Sequence, residues 1–348
     1  MEYNRLGKSG LYISKLCLGC ASFGIGKSTG VHDWGQVDEK EAYRIMDEAV
    51  EHGINFFDTA NVYGSKGYPG LSEEIIGRWF KLGNQRREKV VLGTKVGRMY
   101  GRNLGETNHV DGPNNREGLS LYKIRRHVEE SLRRMQVEKI ELYTMHKRDQ
   151  ETGWDEVWEA FEGLVREGKV DYVGASNHDA WELAKAQETA KRRNFMGLVS
   201  EQHFYTPLNR FAELEMLPMA LDYGIGITVY SPLCRGLLGI DMTRPDKHPL
   251  NPEAEYSFEH IKEQLHAYTK LAHEIGEVPA NLTLAWELAH PAVNSVIIAP
   301  NTPADLRELL HSLTIIMTSD IMEAMDEIFP PVSEFNPYVP WGVRAGHL

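Results

Sequence analysis

The sequence predicts one closed (β/α)8 barrel, a TIM-type fold, spanning residues 1–348 as a single domain, with an N-terminal β-hairpin and an extra C-terminal helix and tail. Short apolar runs alternate with amphipathic helical stretches along the chain, and eight runs can be counted, the strand number of a closed parallel barrel. No GxGxxG opens a helix after the first strand, which weighs against the alternative, an open doubly wound sheet. The 348 residues also fit, since a barrel needs about 250 plus loop insertions.

A hairpin is expected around Gly7–Gly10, before a first strand at Leu16–Cys20. Ala42, Ile45, Met46, Ala49 and Val50 recur at helical spacing, and Gly53 ends that helix. Ile54–Thr59 is the second strand, and Ser72-Glu73-Glu74 opens the next helix. Val90–Val96 is the third strand, followed by a long polar stretch, Gly97–Ser120, and a helix marked by Ile124, Val128, Leu132 and Met135. Ile140–His146 is strand four, with a helix over Val157–Val165. Val170–Ser176 is strand five, with a helix over Trp181–Arg193. Leu198–Gln202 is strand six, with a helix from Phe211 to Tyr223. Ile225–Ser231 is strand seven. Pro232–Tyr256 reads as a Pro-rich insertion, with helices expected at Phe258–Ile275 and Pro279–His290. Val293–Ile298 is the last strand, Pro303–Leu313 the last barrel helix and Asp320–Ile328 the extra one.

Composition narrows the function. A net charge of −12 repels phosphate backbones and argues against nucleic acid as a partner. Cys17, Cys20 and Cys234 are too few and too scattered for a disulfide framework, and Cys17 and Cys20 read as buried free thiols rather than a metal or redox pair. No signal sequence and no apolar run of about 20 residues is seen, so a cytoplasmic protein without a membrane span is expected.

In such a barrel, chemistry belongs at the C-terminal strand ends. Asp58 ends strand two with Tyr63 in the loop beyond; Lys95 lies near the end of strand three, and His146 ends strand four. Singly, Asp58 reads equally as a helix cap, Lys95 as a snorkelling surface cation and His146 as a satisfied core histidine. Together, at adjacent strand ends, they suit proton delivery to an alkoxide. An ammonium beside the phenol is expected to lower its pKa, a carboxylate to hold the ammonium, and a histidine to orient a carbonyl. No metal-ligand cluster is seen.

These motifs resemble the aldo-keto reductase superfamily over essentially the whole chain. FFDTANVYG (Phe56–Gly64) is similar to the DTAxxYG signature, with SEEIIG (Ser72–Gly77) after it. VVLGTKV supplies the lysine, and IELYTMHKRD the histidine. The resemblance implies a tetrad of Asp58, Tyr63, Lys95 and His146. It implies that Ser176 and Asn177 of VDYVGASN, with Gln202 of SEQHFY, hold a nicotinamide carboxamide. Tyr230 of ITVYSPLCRGLL would stack on the ring, and Ser231, Leu233 and Arg235 would wrap the pyrophosphate. The opening YNRLGKSGLYISKLCLG resembles the hairpin of bacterial and channel-β-like branches, and the sequence resembles reductases acting on nucleotide-linked deoxysugars. The implied activity is hydride transfer from NADH or NADPH to an aldehyde or ketone, with Tyr63 as proton donor.

One segment departs from the pattern. IIAPNTPADLREL after the last strand places Ala299, Asn301 and Asp305 where relatives carry cations for the NADPH 2′-phosphate, and Leu309 where they carry Asn. Asn301, Asp305 and Glu308 are the candidates for the adenosine end. Asp305 would repel a 2′-phosphate, which favours NADH; alternatively it is a first-turn acid serving its own helix. Arg307 is expected to face away. The loop Gly97–Ser120, with Lys147 and Arg148, suits a polar, sugar-like or phosphorylated substrate, or is a solvated loop. Phe335, Tyr338 and Trp341 either close over the mouth or pack outside. Three further readings stay open: a non-catalytic cofactor-binding regulatory subunit, a Schiff-base aldolase using Lys95, and reduction of a C=C bond in an enone sugar, against which His146 argues.

Overall fold

A computed structural model describes residues 1–24, 36–64, 68–98, 114, 116–244 and 252–332. Eight parallel strands close into a barrel: β3 (Leu16–Gly19), β4 (Phe56–Asp58), β5 (Val91–Val96), β6 (Ile140–Met145), β7 (Val170–Ser176), β8 (Leu198–Phe204), β9 (Gly226–Tyr230) and β10 (Val293–Ile298). Each pairs with its sequence neighbour, and β10 pairs with β3 to complete the ring. All eight expected strands are present. The hairpin is too, as β1 (Tyr3–Arg5) and β2 (Tyr12–Ser14) in antiparallel register.

The helices follow as predicted, with two adjustments set by proline. α1 (Glu39–Glu51) buries Ala42, Ile45, Met46 and Ala49, and the Asp38 side chain caps it by accepting from the Glu41 amide. Then come α2 (Leu71–Lys81), α3 (Leu121–Met135), α4 (Trp154–Arg166) and α5 (Ala180–Arg192). The helix expected from Phe211 to Tyr223 is shorter. A 3-10 turn at Phe211–Glu213 precedes α6 (Met216–Tyr223), whose first turn holds Pro218, a residue that cannot sit mid-helix without deleting a hydrogen bond. Conversely, α7 runs Pro252–Glu274, so part of the expected Pro-rich insertion is helix. Pro252 starts the helix, because proline's missing N–H costs nothing at the first position. α8 (Pro279–Ala289) obeys the same rule; α9 (Pro303–Leu309) continues as a 3-10 turn to Thr314, and α10 (Ser319–Ile328) is the extra helix.

The main apolar layer lies between barrel and helices, with Trp79, Trp158, Tyr143 and Phe161 fully buried in it. A second cluster fills the barrel's N-terminal end: Leu6 and Ile13 of the hairpin region meet Cys17, Phe56, Leu142, Val199 and Ile297. The hairpin therefore seals the floor. Gly7 makes this fit: it sits at φ +57°, and a Cβ there would lie 2.4 Å from the Gly224 carbonyl oxygen. Cys17 and Cys20 are buried free thiols as expected, one on β3 and one just past it. Among the described residues no helix is long and apolar enough to cross a membrane. Most of the 97–120 loop and the tail aromatics Phe335, Tyr338 and Trp341 lie outside the described residues.

Candidate active site

With the floor sealed, the opposite strand ends form the open mouth, and strand register decides which side chains meet there. Asp58 pairs with Gly93, and Lys95, two residues on, pairs with Thr144. Side chains alternate along a strand, so Asp58 and Lys95 fall on the same inner face of neighbouring strands. Both are buried, and Lys95 Nζ lies 2.5 Å from Asp58 Oδ2. Asp58 ends β4 rather than capping a helix.

The ammonium has three N–H groups and three acceptors: Asp58 Oδ2, the Thr59 carbonyl at 2.9 Å and the Tyr63 hydroxyl oxygen at 3.3 Å. Nζ also lies 4.7 Å from the centre of the Tyr63 ring. Burial by itself disfavours charge on Lys95, but Asp58 and Tyr63 outweigh it and hold the amine above its ordinary range. A charged, fully engaged ammonium has no lone pair for a Schiff base, which disfavours the aldolase reading. Lys95 is not a snorkelling residue, since none of it reaches solvent.

Tyr63 differs from expectation in one respect. Lys95 does pull its pKa down, but burial of the phenol pushes harder the other way, and the net displacement is upward. The residue is thus a neutral phenol at ordinary pH, with the Lys95 ammonium placed where it would stabilise a phenolate.

His146 follows β6, its backbone N–H donating to the Val96 carbonyl at 2.7 Å and its ring standing edge-on to Tyr63 with centroids 5.6 Å apart. Nδ1 is enclosed with no hydrogen-bond partner, whereas Nε2 is not among the enclosed unpaired atoms. Burial, then the Lys95 charge, holds the imidazole well below its ordinary range, so it is neutral at pH 7. The folded value lies below the unfolded one. As pH falls through about 6.5 the unfolded chain takes up a proton the folded chain refuses, and stability drops. His290, lowered mainly by burial, acts in the same sense, while buried Glu287, pushed up, acts in the opposite sense. Comparing wild type with His146→Gln isolates the His146 share. Wild type should lose more Tm between pH 7 and pH 5 than the variant, and equal losses would show that His146 titrates normally.

Beside this cluster, β7 ends at Ser176 opposite Gln202, while β8 runs two residues past its expected end, to Phe204. Gln202 Nε2 donates to Asp58 Oδ1 at 3.0 Å, which ties the two groups of predicted site residues together. Ser176 Oγ donates to the Gln202 carbonyl at 2.9 Å. Asn177 adopts φ +61°, a left-handed conformation that asparagine tolerates. Its Nδ2 reaches the His146 carbonyl at 3.2 Å and Ser176 Oγ at 2.9 Å, while Oδ1 accepts from the Tyr230 hydroxyl at 2.7 Å. Tyr230, half-buried, packs its ring 5.7 Å from Phe204. Burial, then Glu201, raises its phenol pKa.

After β9 the chain turns through left-handed Ser231, Cys234 and Arg235, at φ +49°, +48° and +58°. Leu233, at φ −88° and ψ 15°, lies between Ser231 and Cys234, giving the alternation of backbone hand that forms anion-binding nests. A half-exposed ring, a row of amide and hydroxyl groups and a nest make a donor set that fits a nicotinamide dinucleotide.

At the expected adenosine end, Asp305 Oδ2 accepts from the Asn301 and Thr302 amides at 3.1 and 3.0 Å, and the Thr302 hydroxyl accepts from the Asp305 amide: a capping box at the start of α9. Asp305 thus serves its own helix. Arg307 pairs with Glu48 of α1 at 2.8 Å, turned away as expected. Lys147 and Arg148 pair with Glu117 and Asp179. The sequence reading missed Glu201 and His178, both buried behind the Ser176–Asn177 turn, because nothing at strand-end spacing distinguishes an outward-facing acid from surface charge.

Comparison with known proteins identifies the family of the chain. The profile described as the aldo/keto reductase family matches residues 15–329. The chain is similar to an uncharacterized oxidoreductase, YrpG, of Bacillus subtilis, with 49% identity covering 95% of this chain and 96% of that protein. It is 31% identical to the versiconal hemiacetal acetate reductase of Aspergillus parasiticus, covering 99% of each. It is 29% identical to a probable voltage-gated potassium channel subunit beta of Arabidopsis thaliana, covering 94% of this chain and 96% of that one.

Proposed function

The chain belongs to the aldo/keto reductase family of oxidoreductases, and from that premise we propose that it reduces an aldehyde or ketone of a small molecule using a nicotinamide dinucleotide, with Tyr63 as proton donor. The observation that carries this reading is the buried relay in which Asp58, Lys95 and the Tyr63 hydroxyl follow one another at 2.5 and 3.3 Å. A reduced nicotinamide, when bound, supplies the hydride. The protein's share is to place the carbonyl and provide the proton. The His146 Nε2 side faces the oxygen, Tyr63 gives its proton as negative charge develops there, and Lys95, fixed by Asp58, stabilises the phenolate that remains. Ser176, Asn177 and Gln202 would hold the carboxamide and Tyr230 the ring face. Ser231, Leu233 and Arg235 would take the pyrophosphate, and Asn301, Asp305 and Glu308 would lie at the adenosine.

NADH is the favoured form. Asp305 caps α9 through Oδ2 yet still places a carboxylate at this end, and Arg307, the nearby cation, pairs with Glu48. Titrating NADH and NADPH separately against the intrinsic tryptophan fluorescence tests both points. NADH should bind several-fold more tightly; tighter NADPH would reverse the preference, and binding of neither would remove the oxidoreductase mechanism. The similarity to channel β subunits favours a second reading, a regulatory subunit that retains its cofactor. Steady turnover of simple aldehydes at rates typical of enzymes, ~1 s⁻¹ or more, excludes it.

A further inference from the structure

Behind the mouth, on the outer side of the barrel wall, lies a cluster that the proton relay does not use. Strand alternation turns Gln202 inward and its neighbour Glu201 outward, where Glu201 is 0% exposed. Its Oε1 accepts from the His178 backbone N–H at 3.2 Å and lies 3.4 Å from His203 Nδ1. Its Oε2 is enclosed without a hydrogen-bond partner among the described residues. No lysine or arginine forms an ion pair with it there. A buried acid so sparsely matched lowers stability, and such departures from the usual pairing concentrate at functional sites.

His178 completes the arrangement. Its Nδ1 lies 3.0 Å from the Ser176 carbonyl oxygen. A carbonyl only accepts, so Nδ1 carries the hydrogen. The turn is therefore clamped twice, through the backbone N–H of His178 on Glu201 and through its ring N–H on Ser176. Asn177 lies between the clamps in its left-handed conformation, with its amide reaching Ser176 and His146 and its carbonyl oxygen receiving the Tyr230 hydroxyl.

We propose that Glu201 is a positioning residue for the nicotinamide half of the site, anchoring the Ser176–Asn177–His178 turn and, through Asn177, the tilt of Tyr230. This rests on the cofactor reading given above. Removing the carboxylate leaves the buried His178 N–H unpaired and lets the turn relax. The groups assigned to pyrophosphate and adenosine sit on the segment after β9 and on α9 with the residues just before it, outside this clamp. The loss should therefore fall on one half of the cofactor.

The test compares wild type with Glu201→Ala, Glu201→Asp and Glu201→Gln, using fluorescence titration with NADH, NADPH and ADP-ribose. Glu201→Ala should weaken dinucleotide binding about tenfold and leave ADP-ribose within twofold. Glu201→Gln keeps an oxygen that accepts from the His178 N–H and should stay near wild type, while the shorter Glu201→Asp should fall between. Unchanged dinucleotide binding in Glu201→Ala, or an equal loss for ADP-ribose, overturns the proposal. If Glu201→Ala does not fold, Glu201→Gln and Glu201→Asp still decide, since Asp equal to or better than Gln overturns it as well. Wild type that binds neither dinucleotide fails at the cofactor reading itself, and the proposal falls with it.

Discussion

Tyr63→Phe should lower kcat for carbonyl reduction by about 10²–10⁴-fold, the usual contribution of a positioned general acid. Cofactor affinity should change by less than twofold, because the phenol is not among the groups assigned to the dinucleotide. The geometry is specific on this point. The Tyr63 oxygen accepts from Lys95 Nζ, so the ammonium already touches the atom on which a phenolate charge would form. Phenylalanine keeps the ring, its edge-on contact with His146 and its cation–π contact with Lys95. A variant retaining kcat would show that the proton comes from elsewhere in the mouth. The upward pKa of the phenol adds a pH statement. The proton-donating form persists through neutral pH and is lost only above the ordinary tyrosine range, so reduction should fall at the alkaline end, whereas alcohol oxidation, which needs the phenolate, should rise with pH.

Lys95→Met should cost both activity and folding. The lysine is wholly enclosed, and its removal leaves Asp58 buried with Gln202 as its remaining side-chain donor. Breaking a buried ion pair by deleting one partner destabilises by about 3–5 kcal/mol, because the other charge stays behind. For a chain of this size that is a Tm loss of roughly 5 °C. Asp58→Asn in the same protein removes the stranded charge, so the double variant should recover part of the lost Tm while remaining inactive. A single variant as stable as wild type would show that Asp58 is neutral or better solvated than the distances indicate. Differential scanning calorimetry of the three proteins, beside kcat, separates the two effects.

Much of this site is legible in the sequence because a barrel translates chain position into place. A polar residue ending a strand faces the mouth, and Asp58, Lys95, His146, Ser176, Gln202 and Tyr230 all end strands or nearly so. Helix faces were equally readable, as α1 shows. Proline was harder, since one residue type both closes loops and opens helices, and only the following turn tells Pro252 from Pro232. The sign of the Tyr63 shift was out of reach because it balances an ammonium against burial, and burial depends on packing from segments far apart in the chain. Glu201 escaped for a related reason: its partner is a backbone N–H, which leaves no side-chain pattern to find.

The hairpin that closes the floor has a consequence for how such a protein diverges. It puts the cohesive cluster of Leu6, Ile13, Phe56 and Ile297 at one end of the molecule and the groups proposed to meet a ligand at the other. Changes that re-tailor the open end leave that cluster untouched. A lineage can drift from one substrate to another by altering loops, and the sealed base keeps each intermediate folded while selection catches up.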